Sequence, residues 1–226
     1  MANQRHLQML HKGLEAWNKW RQKRLVVPDL SGINLSGQNL CNADFNLTVL
    51  RKADFSFAEL NCIDLHQAFL DEANFFAANL SEGRLRYADF RDARLRRTNL
   101  TSASLDGAKF NNADLSRADF SHADLGNANF EGAEIGYTIF ADVDLSQVKG
   151  LGTVKHSAPS TIGIDTLYKS QGKIPDQFLR DAGVSEEVIE HLLLKFPRNG
   201  GQGAENLRKK NRHVHENKTD PKDLRP

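Results

Sequence analysis

The sequence predicts an all-β solenoid with an α-helical segment at each end. Three observations predict it: an unbroken five-residue beat through the middle of the chain, an amphipathic stretch before it, and helix signals after it. From Leu30 to Leu145 every fifth residue is Leu, Phe or Ile, through 24 consecutive units without insertion. Two residues before each of these the chain is mostly Ala, as at Ala43, Ala53, Ala58 and every such site from Ala113 to Ala133. Between the two sits mostly Asp or Asn, as in Ala43-Asp44-Phe45 and Ala118-Asp119-Phe120.

A period of five fits neither regular element. On an α-helix a five-residue stripe drifts by about 140° per step, and a strand alternates every second residue. The chain must instead turn a corner once per unit and return the same two positions inward. Ala fits beside the large residue because a bigger side chain overpacks a narrow interior, at about 1–3 kcal/mol. Asp and Asn point outward and stabilise turns by bonding their own backbone. Asp114, Asp119, Asp124 and Asp144 are therefore read as turn residues, not as acid–base groups.

The A-(D/N)-(L/F)-x-x run from about Asp29 to Leu145 resembles the pentapeptide-repeat proteins, a family met in bacteria. The resemblance implies a right-handed quadrilateral parallel β-helix with four pentapeptides per coil. Twenty-four units then make about six coils, roughly 29 Å long at ~4.8 Å per stacked strand. Residues twenty apart should stack, giving columns such as Leu30, Leu50, Leu70, Phe90, Phe110, Phe130 and Leu40, Leu60, Leu80, Leu100, Phe120, Phe140.

An open solenoid exposes a strand edge at each end, so covering elements are expected. Residues 1–27 read as an amphipathic capping helix: Leu7, Leu10, Leu14, Trp17 and Trp20 recur at helical spacing over about 5–24, and Pro28 closes the segment. The repeat domain is 28–147. Residues 148–196 read as a helical C-terminal cap, with helices at about Asp176–Asp181 and Glu186–Phe196, the second with Ser185 as N-cap. This stretch resembles a helix-turn-helix, but Glu186, Glu187 and Glu190 at the start of its second helix repel phosphate, so DNA binding is not expected. The same helices offer a face for a homodimer. Residues 197–226 carry eight Lys or Arg and four acids with almost no apolar residues, the composition of a disordered basic tail.

Thirty Lys plus Arg against 29 Asp plus Glu give net +1, which argues against a strongly basic nucleic-acid binder. No apolar run approaches the ~18 residues of a membrane span, and a cytoplasmic location is expected. The N-terminal stretch lacks the apolar core of a secretory signal. Phosphate-loop, H-E-x-x-H, C-x-x-C and G-x-S-x-G motifs are missing, so no catalytic residue, cofactor or metal is assigned. Cys41 and Cys62 read as free thiols, and His213 with His215 is too sparse a pair for a metal.

Charge is uneven along the chain. Residues 28–145 hold ten bases and 18 acids, a net −8. Within that acidic stretch Arg84, Arg86, Arg91, Arg94, Arg96 and Arg97 fall at outward positions and form the candidate docking patch, for an acidic protein or a nucleic acid. The expected function is a non-enzymatic protein-interaction scaffold whose protein partner the sequence does not name. The resemblance implies an alternative, a DNA mimic that binds a type II topoisomerase such as DNA gyrase and gives quinolone tolerance. The arginine band and the lack of loops between coils depart from that alternative.

Overall fold

Each five-residue corner is a hydrogen-bonded turn closed by a left-handed residue. In the computed structural model, which describes residues 2–23 and 26–197, the amide three places after a centre donates back to it. Ala43 N reaches Leu40 O at 3.0 Å, and Ala53 N reaches Leu50 O at 3.1 Å. The residue between, two places after the centre, has positive φ: 61° at Asn42, 58° at Lys52, 54° at Gln67 and 64° at Gly37. Positive φ at the third turn position is what a type II turn requires. The Asp or Asn before the centre reaches forward two residues to cap the turn. Ser56 N donates to Asp54 Oδ1 at 3.0 Å and Ser121 N to Asp119 Oδ1 at 2.9 Å.

Four such corners make one turn of the solenoid. Every bridge inside the repeat is parallel and joins residues twenty apart, as in Asp29, Val49, Phe69, Asp89, Lys109, Asn129 and Lys149. Three further series start at Asn34, Asn39 and Asp44. The four series set four sides, and the inward residues stack in the expected columns. Phe55 lies on Phe75 at 4.9 Å, and Phe120 on Phe140 at 5.4 Å. Leu30, Phe45, Leu60, Phe90, Leu100 and Phe130 are fully buried, as are most of the Ala residues beside them. Thr98 and Thr138 replace Ala on the inner wall and satisfy their hydroxyls on the carbonyls of Phe75 and Leu115, at 2.8 and 2.9 Å.

The apolar periodicity over 5–24 forms two helices, not one. α1 spans Gln4–Leu10 and α2 spans Leu14–Lys23. They break at Gly13, whose φ of 97° no other residue type adopts easily. α2 lays Trp17, fully buried, over Phe45 at 5.4 Å. Polar side chains of the same helix meet the open edge of the first coil. Trp17 Nε1 donates to Asp44 O at 2.8 Å, Asn18 Oδ1 accepts from Asp44 N at 3.0 Å, and Arg21 donates to Asn46 O at 2.5 Å.

At the other end parallel pairing runs past 147, where the five-residue beat stops. β1 (Glu134–Ile135) pairs with β3 (Lys155–His156), and β2 (Ile139–Phe140) with β4 (Thr161–Ile162). The spacing widens from twenty to 21 and then 22, as Glu134 meets Lys155 and Ile139 meets Thr161. A 3-10 turn at Leu151–Thr153 takes up the first extra residue. Helix α3 (Ile164–Lys169) follows, ahead of the two helices that the sequence places in this segment. α4 spans Asp176–Asp181 as expected; α5 spans Glu186–Lys195, and Ser185 sits at its N-cap without a side-chain bond.

α3 supplies the hydroxyls that close the last edge. Thr166 Oγ1 accepts from Val143 N at 3.2 Å and donates to Phe140 O at 2.9 Å. Ser170 Oγ accepts from Leu145 N at 3.0 Å. Both side chains are fully buried. His156 packs its ring 5.1 Å from Phe178 of α4, and neither ring nitrogen has a hydrogen-bond partner among the described residues. Burial lowers its pKa, partly opposed by Asp181. The expectations for the tail, including His213 and His215, fall on 198–226, outside the described residues.

Candidate interaction surface

The repeat decides where each outward side chain goes. The two residues after a centre stand on a corner, and the residue before it stands on a side, so identical phases line up along the axis one coil apart. The six arginines occupy a single turn but three successive parts of it. Arg84 and Arg86 flank Leu85, Arg91 follows Phe90, and Arg94, Arg96 and Arg97 surround Leu95. All six are exposed.

Three of the six are paired within the solenoid. Arg84 meets Asp64 at 3.0 Å and Arg86 meets Asp106 at 2.8 Å, each across a twenty-residue step. Arg91 grips Asp89 with two bonds of 2.7 Å. Asp89 is only 6% exposed; burial pushes its carboxyl up, and the Arg91 contacts outweigh this and leave it below the ordinary range. The Asn127 amide and then Arg86 hold Asp106 below that range too. Arg94, Arg96 and Arg97 make no ion pair among the described residues. Arg97 lies 6.0 Å over the ring of Phe76. The patch therefore divides into an internally neutralised half and a half left open.

Large aromatics at outward positions went unassigned in the sequence reading. Phe57 is 62% exposed and Tyr137 is 60% exposed. The signal that finds them is an aromatic one or two places after a repeat centre, where Ser, Asn, Asp and Gly are common. Cys41 and Cys62 are free thiols; Cys41 Sγ sits 2.6 Å from Asn61 Oδ1. Among the described residues there is no cluster of metal-ligating side chains, and no helix is long and apolar enough to cross a membrane.

The family model for pentapeptide repeats matches in eight copies, over residues 29–67, 58–97, 73–112 and 113–149. The chain belongs to the pentapeptide repeat family. The stacked solenoid of this pentapeptide repeat protein is similar to several solved structures. A pentapeptide repeat protein of the cyanobacterium Cyanothece 51142 is 28% identical over 54% of this chain and 95% of its own, with a TM-score of 0.49. HetL of Nostoc sp. strain PCC 7120, a pentapeptide repeat protein involved in heterocyst differentiation regulation, is 20% identical. The match covers 73% of this chain and 98% of HetL, with a TM-score of 0.31. QnrB1, a plasmid-mediated fluoroquinolone resistance protein, is 19% identical over 59% of this chain and 76% of its own, with a TM-score of 0.41. Comparison with curated proteins gives no match.

Proposed function

We propose that this pentapeptide repeat protein is a non-enzymatic scaffold for protein interactions. The supporting observation is the division of labour within each repeat unit. Inward positions are mostly Leu, Phe and Ala, whereas the two corner positions range over Ser, Arg, Asp, Asn, Phe and Tyr. Corner side chains are thus less constrained by folding than the inward ones and are held at steps of ~4.8 Å on a stiff rod. Helices α1 to α5 act in this reading as caps on a right-handed quadrilateral coil, in a cytoplasmic protein. A homodimer through the C-terminal helices would draw on exposed apolar side chains such as Ile164, 74% exposed, and Val188, 39% exposed.

The test is affinity capture on the immobilised full chain, with a Leu100→Asp chain as the misfolded control. A protein retained by the native chain alone, at a defined stoichiometry on reconstitution, supports the scaffold; no such protein rejects it. The second reading, a topoisomerase-directed DNA mimic, rests on the net charge of −8 over residues 28–145. A gyrase supercoiling assay with and without ciprofloxacin separates the two, since the scaffold leaves supercoiling unchanged.

A further inference from the structure

One corner of the solenoid differs in chemistry from the other three. It carries residues 36 and 37 and their equivalents every twenty places, ending at Gly136 and Tyr137. Along it stand Phe57, Phe76, Arg96, Arg97, Arg117 and Tyr137, and none of its twelve positions is Asp or Glu. Phe57 meets Phe76 edge-on at 5.3 Å, Arg97 lies over Phe76, and Arg117 lies over Tyr137 at 5.0 Å. Arg97 and Arg117 are one coil apart, joined by the strand geometry that also places Arg97 N on Ser116 O at 3.0 Å.

Five of the solenoid's seven other bases are neutralised by ion pairs. Arg51 pairs with Asp71, Lys52 with Glu72, Arg84 with Asp64, Arg86 with Asp106 and Arg91 with Asp89. Of the five Lys and Arg at 28–145 without an ion pair among the described residues, three stand on this corner and Arg94 stands on the side leading to it. Three guanidiniums held side by side without a carboxylate repel one another, and exposed aromatics at both ends of the group add apolar surface to water. The cation–π contacts of Arg97 and Arg117 offset this only in part, at about 0.5–1 kcal/mol each.

The geometry points to this corner as a docking ridge for an acidic protein segment whose central carboxylates are flanked on both sides by apolar residues. This rests on the scaffold reading and names the chemistry of the partner. The charge pattern selects that occupant. The cationic stretch covers about two coils, near 10 Å, while the aromatics extend the ridge to about 19 Å, the length of roughly six extended residues. Carboxylates meet Arg in bidentate pairs, and Phe and Tyr rings accept apolar side chains at either end. A long polyanion fits poorly, because Asp54, Glu59, Asp114, Asp119 and Glu134 stand on the two sides that flank the ridge.

The test uses the full chain and a fluorescent peptide in which a run of glutamates is flanked by leucine and phenylalanine. Fluorescence anisotropy should show binding that weakens with added salt. An Arg96→Gln/Arg97→Gln/Arg117→Gln chain should bind at least about tenfold more weakly. An Arg84→Gln/Arg86→Gln chain, altered only where arginines are already paired, should bind as the native protein does. Thermal melts check that both variants fold. No binding, equal loss in both variants, or tighter binding of single-stranded oligothymidylate than of the peptide would overturn the proposal. If captured cellular partners stay on the ridge variant, the ridge is wrong and the scaffold stands; if the native chain captures nothing, the scaffold itself fails.

Discussion

The Phe90 and Phe110 rings, twenty residues apart, lie 5.3 Å from centroid to centroid and within 7° of parallel. Phe130 continues the column at 5.1 Å from Phe110. Each ring is therefore floor to one neighbour and roof to another, and deleting one opens a gap between two coils. Phe110→Ala should cost about 3–5 kcal/mol in urea unfolding. Leu100→Asp places an unpaired charge in a dry column and should leave no cooperative transition.

Outward carboxylates behave differently, though not neutrally. Asp119 accepts from both the amide and the hydroxyl of Ser121, at 2.9 and 2.6 Å. Asp119→Ala should cost about 1 kcal/mol through loss of that turn cap, far less than Leu100→Asp. Equal effects of the two substitutions would refute the inside–outside assignment.

Corners held at positive φ carry a backbone penalty wherever the residue is not Gly. Gly37 has φ of 64° and open space where a side chain would go, so Gly37→Val tests the torsion alone. It should destabilise by about 1–2 kcal/mol. Gly152, equally open and free of the positive-φ demand, should tolerate Val within about 0.5 kcal/mol.

The Ser170 hydroxyl of α3 takes the place that a carbonyl of the next coil holds for earlier centres, as Asp64 O does for Phe45 N. Ser170→Ala changes the volume little but strips the acceptor from the amide of Leu145. A loss of about 1–3 kcal/mol is expected, with faster hydrogen exchange at Leu145 and Val143 than at Leu100.

His156 sets an acid limit. Burial lowers its pKa below the ordinary 6.5, so the unfolded chain binds the proton more readily than the folded one. Stability from this site is complete above pH 6.5 and declines as pH falls from there toward the lower folded value. His156→Phe should flatten that decline in thermal melts between pH 7 and about pH 5. An undiminished slope in the variant would remove His156 as the cause.

Much of the middle of this molecule was legible because its core obeys a single count. Phe55 over Phe75 and Phe120 over Phe140 follow from stepping twenty places. The arginine pairings were partly legible by the same step: Asp64 and Asp106 lie twenty from Arg84 and Arg86. Arg91 with Asp89 was visible as near neighbours, but not as a half-buried pair that removes Arg91 from the free surface. The ends resisted because they break the count. Gly13 divides a stripe that looks continuous, and the last coil widens to 21 and 22 residues. Thr166 and Ser170 are polar residues in a buried place, the pattern that apolar periodicity passes over.

The twenty-place step also governs how such a chain can change length. Removing one residue from the interior turns Leu and Phe outward from that point on. Removing five restores the inward phase but turns everything downstream by one side; α3 keeps its bonds to Val143 and Leu145, which turn with it, while the outward rows above and below the cut no longer line up. Only the loss or gain of a whole twenty-residue turn keeps every outward row continuous from one end to the other. Growth by duplication is thus quantised in complete turns, while the last coil, already two residues out of step, is the place where odd insertions do no harm to the columns beneath.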